Sequence, residues 1–346
     1  MKFLRLALLL AAAALFATGA QAQSLEKKKI TLAVGGKSLL YYLPLTIAER
    51  KGYFKSEGLD VEIVDFPGGA KALQAMVGGS ADIVSGAYEH TINMQAKGQP
   101  IVAIALQGRY NGIVLGIAKS KAANYKSAAD LKGMKVGVTA PGSSTHMAVQ
   151  NLAVRAGLKP DDFAAILVGA SAGAVAAVKR GNVDAISNLD PVITKLESEG
   201  DIVIVTDTRT AKGMKDVYGG AYHAGCIYAP ADWVKKNPHT TQAVVNAMVR
   251  AVLWLKSASV DDVIATVPKE YYGADLALYR GSLLKNKEGY SPDGRFSMEG
   301  AQNVYKVLNQ FVPEVQKAKI DLAGTFDNSF ADRALKKYGG GATTKK

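Results

Sequence analysis

Residues 64–85 read VDFPGGAKALQAMVGGSADIVS, and residues 166–187 read ILVGASAGAVAAVKRGNVDAIS. At a constant offset of 102 residues (73 to 175, 85 to 187), Leu73, Met76, Gly79, Asp82 and Ser85 match Val175, Val178, Gly181, Asp184 and Ser187. Each copy is an apolar run, a small-residue turn (Pro67-Gly68-Gly69 or Gly169-Ala170-Ser171), a helix, a glycine turn and a second short strand. Such self-similarity is the mark of a repeated supersecondary unit. Upstream, residues 29–34 and 135–139 are both apolar strands that enter a Gly/Ser loop and then a helix. Those helices end at Gly58-Leu59 and Gly157-Leu158, where glycine offers the left-handed C-cap conformation. Strand, loop, helix, strand in succession is the pattern of βαβ units and parallel sheets. The fold class is therefore α/β, in two lobes of matching plan.

Working outward, the first lobe runs from Ile30 to about Gln107, with helices near 45–56, 70–77 and 88–97. The second begins with a strand at 113–118, has helices near 143–156, 173–180 and 191–198, and ends between Thr206 and Ala229. The pattern then turns helical: a long apolar helix at 238–257 carrying Trp254, then helices near 274–284, 297–311 and 328–337. These are expected to pack on the first lobe and close the chain there. Lobe 1 is thus 24–110 with 229–338, and lobe 2 is 111–228. The glycine-rich tail 339–346 has no apolar pattern and is expected to be disordered.

The N-terminus reads as an export signal. Lys2 and Arg5 precede an apolar stretch, 6–16, and Ala20-Gln21-Ala22 places small residues at the cleavage positions. That stretch is shorter than the ~20 residues a membrane span needs. Cleavage after Ala22 exposes Gln23 rather than Cys, so the expectation is a periplasmic protein without a lipid anchor. The remaining chain is long enough for two domains of ~100–200 residues. A formal charge of +12 falls to +10 without Lys2 and Arg5. No basic–aromatic stripe accompanies it, so nucleic acid is not an expected partner. The surplus fits an anionic small ligand. One cysteine, Cys226, excludes an internal disulfide framework, and four histidines without H-x-x-x-H spacing argue against a metal. No nucleophile elbow, Walker loop or dinucleotide fingerprint is present. No cofactor and no catalytic residue is expected.

In open α/β sheets, ligands bind outside the carboxyl ends of the strands. The loops there share one chemistry: Gly36, Lys37, Ser38 and Tyr41 in the first, Gly68 and Gly69 in the second, Gly86 and Tyr88 in the third. The other lobe supplies Gly142, Ser143, Ser144 and His146, then Asn188 and Asp190, with Tyr222 near the chain crossing. Glycines permit close backbone approach; hydroxyls, amides and tyrosines hydrogen-bond and stack. Pro141-Gly-Ser-Ser-Thr-His146 follows a strand and opens a helix, so unpaired N–H groups and the positive dipole end suit an acidic head group. Plain N-capping by Ser143 or Ser144 is the competing role.

On these residues the chain resembles the substrate-binding components of bacterial ABC importers of the nitrate/sulfonate/taurine type, closest to aliphatic-sulfonate-binding proteins. The likeness rests on Ala48-Glu-Arg-Lys-Gly-Tyr-Phe54 with Gly58–Val61, Asp65–Gly69, Gly78–Ile83, Ala129–Gly133, Gly142–His146 and Gly181–Asp184 followed by Asp190-Pro191. It implies a class II periplasmic-binding-protein fold with the ligand between the lobes, capture of a small organic anion by lobe closure, and a monomer served by a permease with a cytoplasmic ATPase. Residues 86–90 depart from the family's threonine/proline-rich loop, and Asn188 stands where an aromatic is common. The cysteine-rich stretch of relatives that take a thiamine-pyrimidine precursor is absent. A periplasmic enzyme on the same fold, or a sensor presenting its ligand to a receptor, are the alternative functions.

Overall fold

The computed structural model describes residues 24–339; the expected signal peptide (1–22) and tail beyond Gly339 lie outside the described residues. Four strands come first: β1 (Lys29–Gly35), β2 (Asp60–Phe66), β3 (Ile83–Ala87) and β4 (Ile101–Leu106). The next five, β5 (Val114–Ala118), β6 (Lys135–Val138), β7 (Ala164–Leu167), β8 (Ala185–Asn188) and β9 (Ile202–Asp207), build a second sheet, and β10 (Gly225–Pro230) returns to the first. The sheet orders are β2-β1-β3-β10-β4 and β7-β6-β8-β5-β9. In each, a parallel trio is followed by one strand antiparallel to both its neighbours, β10 in the first and β5 in the second. Because Cys226, Ile227 and Tyr228 pair with β3 and β4, the sequence-based lobe boundary at 228 moves back to before Gly225.

The repeated aspartates now have a reason. Asp82 Oδ2 accepts from Thr31 N at 2.9 Å while its own N–H donates to Thr31 O at 2.9 Å. Asp184 treats Lys135 in the same way, at 2.8 and 2.7 Å. Each carboxylate thereby satisfies an amide of the central strand near its start, a group that is costly to leave unpaired. The matched Gly79 and Gly181 sit at φ of +77° and +69°, which glycine adopts without steric cost.

The helix Pro238–Ser257 buries Val244, Val245, Met248, Val249 and Val252. It shares one core with Leu43, Leu45 and Ile47 of the first lobe and with Phe330 and Ala331 of the last helix, Ser329–Tyr338. In the second lobe, Val114 and Leu115 face opposite sides of the sheet and enter separate apolar clusters, as the two-residue period of a strand requires.

One polar knot ties the lobes near the crossings. Asp190 Oδ1 accepts from the backbone and hydroxyl of Thr194 at 2.8 and 2.7 Å. Its Oδ2 accepts from Asn286 Nδ2 at 2.7 Å and from Arg209 Nη1 at 3.2 Å. Arg209 also reaches Asp207 at 2.6 Å, and Leu40 N donates to the Asp190 carbonyl at 2.9 Å. Removing one member of a buried pair leaves the other uncompensated. Arg209→Leu should therefore cost about 3 kcal/mol in a denaturant titration. The double change Asp190→Asn, Arg209→Leu should cost less than that, and a larger loss in the double variant would contradict the pairing.

Candidate functional site

At the carboxyl ends of the strands the two lobes touch through backbone and small groups. A Cβ on Gly36 would lie 2.5 Å from Ala170 Cβ. One on Gly68 would lie 3.0 Å from both Ala140 Cβ and Ser143 Oγ. Ala70 N, at the start of the helix Gly69–Val77, donates to Ser143 Oγ of the other lobe at 3.0 Å. The lobes are closed on each other at these loops.

Behind that seal lie polar atoms with no partner. Tyr41 Oη, Glu89 Oε2, His90 Nε2 and Ser144 Oγ are all buried and unbonded. Three elements bring them together. The turn after β1 carries Tyr41 and Tyr42; the helix Glu89–Ala96 opens directly after β3; and the helix Ser144–Arg155 follows β6. Glu89, 1% exposed, accepts at Oε1 from Tyr222 Oη at 3.2 Å. His90 Nδ1 meets Tyr228 Oη at 2.9 Å. A Cβ on Gly69 would sit 3.4 Å from the His90 ring and 3.6 Å from Tyr42 Oη, so that glycine borders the same space. The Ser144 hydroxyl lies beside both Tyr41 and Glu89 without reaching hydrogen-bond geometry to either.

Burial sets the charge here. It pushes the Glu89 carboxyl up to about 7, the tyrosines further from ionisation, and His90 down to about 4. Glu89 stands in the first turn of its helix, where the dipole favours an anion, yet this leaves Oε2 unused. At neutral pH the cluster is a carboxyl near its titration point among neutral donors and acceptors. Unpartnered buried polar atoms are rare in folded proteins, and several gathered at the strand ends make this the candidate site.

Of the residues chosen from sequence, Tyr41, Gly69, Ser144 and Tyr222 meet at this space. Gly36, Gly68 and Ser143 form the seal instead, and Ser143, the N-cap residue, gives its oxygen to Ala70 rather than to its own helix. Lys37 turns away: Nζ pairs with Glu49 at 2.8 Å and its N–H with Asp65, and Ser38 is half-buried in the same turn. Gly86 makes room for the Tyr228 ring, which a Cβ would approach to 2.6 Å. Tyr88 is core, bonded to Thr325 at 2.5 Å. Gly142 donates its N–H to His146 Nδ1 at 3.1 Å, so neither offers that atom to a ligand, and the His146 ring rests on Phe163. With φ at +83°, Gly142 would itself be strained by any branched replacement. Asn188 spends its amide on Gly169 O and Leu189 N, and Asp190 belongs to the knot at the crossings. Sequence reasoning missed Glu89 and His90. The signal was present: Glu89-His90 follows a strand and opens a helix, as Ser144 does.

A family model described as NMT1/THI5 like matches residues 40–258. A protein of solved structure from Bordetella bronchiseptica RB50 is 53% identical and superposes with a TM-score of 0.90, covering 92% of this chain and 100% of its own. The alkanesulfonate-binding protein SsuA of Xanthomonas axonopodis pv. citri, bound to MOPS, superposes with a TM-score of 0.67 at 17% identity, over 88% of this chain and 99% of its own. The fold is that of the periplasmic binding proteins. Among curated proteins, the 4-amino-5-hydroxymethyl-2-methylpyrimidine phosphate synthase THI11 of Saccharomyces cerevisiae is 28% identical over 143 residues, 41% of this chain and 41% of that protein. The chain thus matches about two-fifths of the length of that relative.

The raised carboxyl gives a testable sign. A folded-state pKa above the ordinary value of 4.5 means that the native state holds a proton the unfolded chain has lost. The Glu89 contribution is present below pH 4.5 and is lost as pH rises through about 7. Relative to wild type, Glu89→Gln should gain stability over that window, by about 3 kcal/mol at pH 8. Urea titrations from pH 4.5 to 8 read the difference, and a flat difference would refute the desolvated carboxyl.

Proposed function

We propose that this chain, which belongs to the NMT1/THI5-like family, is the periplasmic substrate-binding component of an ABC importer. It captures a small organic acid between its lobes and presents the closed form to a permease driven by a cytoplasmic ATPase. The observation that carries this reading is the group of buried atoms at the strand ends, Tyr41 Oη, Glu89 Oε2, His90 Nε2 and Ser144 Oγ, with unused hydrogen-bonding capacity. The fold shared with an alkanesulfonate-binding protein supports it. So does the 12-residue helix Ser144–Arg155, whose first N–H groups have no acceptor within the helix and carry its positive end.

The yeast relatives named as synthases favour a second reading, an enzyme, in which Glu89 and His90 would be the acid and base. That match covers 41% of the chain, and a binding protein returns its ligand unchanged, which mass spectrometry of an incubated ligand decides.

Capture requires opening. Ligand-free protein should show a larger radius of gyration in X-ray scattering than protein saturated with a ligand found by thermal shift among carboxylates and sulfonates. At 100 times its Kd such a ligand stabilises by about 2.7 kcal/mol. The reading fails if nothing in the panel both raises the melting point and contracts the protein.

A further inference from the structure

The helix Ser144–Arg155 runs away from the strand ends and lies along the first lobe. Met147, Gln150, Asn151 and Val154 recur at the spacing of one helix face. Met147 and Val154 pack in the first-lobe cluster with Ile92, Val304 and Leu308, and Gln150 lines a groove with Phe311 and Val312. Asn151 thus stands among apolar neighbours at the seam of the two lobes. It is 0% exposed, and neither its Nδ2 nor its Oδ1 has a hydrogen-bond partner in the protein. Across the seam stands Asn93, on the first-lobe helix Glu89–Ala96. Its Nδ2 reaches Met147 Sδ at 3.5 Å, and its Oδ1 is buried without a partner as well.

A buried amide with neither end bonded is unfavourable in the closed form. The helix itself does not call for it. Leucine has the higher helix propensity, a similar branched shape, and would continue the apolar face from Met147 to Val154. Opening the lobes removes the penalty, because water then reaches both amide atoms. The apolar contacts along the seam and the hydrogen bond from Ala70 to Ser143 pull the other way. Building on the importer reading, we infer that Asn151 biases the ligand-free lobes open, so that closure waits for a ligand. Without such an offset, the apolar face of this helix holds the lobes shut and the ligand outside. Asn93 acts in the same sense from the opposite wall. Asn151 lies about two turns from Ser144 and the strand ends, so it works through the closing equilibrium rather than through ligand contact. It weakens every ligand by one common factor, the reciprocal of the closed fraction.

Thiol trapping reads the closed population with no ligand present. Gly68 has an extended backbone, φ −168°, and a Cβ there lies 3.0 Å from Ala140 Cβ of the other lobe. Gly68→Cys with Ala140→Cys can therefore join only when the lobes meet. The native Cys226 is buried and takes no part. In a glutathione redox buffer the rate of disulfide formation follows the closed fraction, and alkylation of Gly68→Cys alone corrects for thiol reactivity. Adding Asn151→Leu should speed trapping about tenfold, the worth of one amide freed from burial without a partner. Asn151→Ala, which removes the amide and adds no bulk, should shift the rate the same way, and it decides the matter if the leucine variant melts early. Equal rates, as a water bonded to the amide in the closed seam would give, overturn the inference. Slower rates, which would make Asn151 a clasp to Asn93, overturn it too. The trapped protein also serves as the closed reference in X-ray scattering. A ligand-free wild type of larger radius leaves the importer reading standing even where the trapping rates sink this one, and an equal radius sinks both.

Discussion

Gly68 lies so close to Ala140 and Ser143 that no side chain fits between them, and this contact decides what the space behind it can be. The hydrogen bond from Ala70 N to Ser143 Oγ spans the same seam. The lobes meet through backbone and hydroxyl at this seam and through apolar side chains beside it, where Met147 joins one cluster with Tyr88 and Leu189 another with Leu40. Closed, they exclude water from Glu89, Tyr41 and Ser144. The low dielectric that results strengthens each interaction inside and raises the cost of each group left unpaired. Burial is the largest cause of both the raised carboxyl and the depressed imidazole.

The fold was legible because its duplication is written in residues with fixed jobs. Asp82 and Asp184 hold the central strand of each trio, and Gly79 and Gly181 take the left-handed turn, so both survive as matches at constant spacing. The strands that complete each sheet were harder to read. β10 lies between β3 and β4 but arrives more than a hundred residues later, and β5 does the same work for the other lobe before its trio begins. Local periodicity finds an apolar run at 224–229, but pairing across the crossing decides which lobe it joins.

The convergence of the strand ends was legible as a place, and the side chains gathered there much less so. The carboxyl ends of the strands do converge, and Tyr41, Gly69, Ser144 and Tyr222 are there. Choosing residues by chemical type went astray wherever a distant partner had already claimed them. Tyr88 is taken by Thr325, 237 positions away; Lys37 by Glu49; Asp190 by Arg209 and Asn286. No spacing rule reveals such partners. Glu89 and His90 were passed over for the opposite reason. Nothing in the local sequence marks their isolation, which shows only once the other lobe is closed over them.

This separates two uses of charge that composition alone runs together. The chain carries 42 basic and 30 acidic residues, yet Lys27, Lys37 and Lys121 are paired with Asp82, Glu49 and Asp184 outside the enclosed space. A net positive field of this kind acts at long range and speeds the encounter with an acid, and salt screens it. In the binding role proposed above, recognition inside falls to neutral hydroxyls, one helix end and one buried carboxyl, where screening by ions does not reach. The overall sign of the protein therefore says little about the polar groups its interior holds.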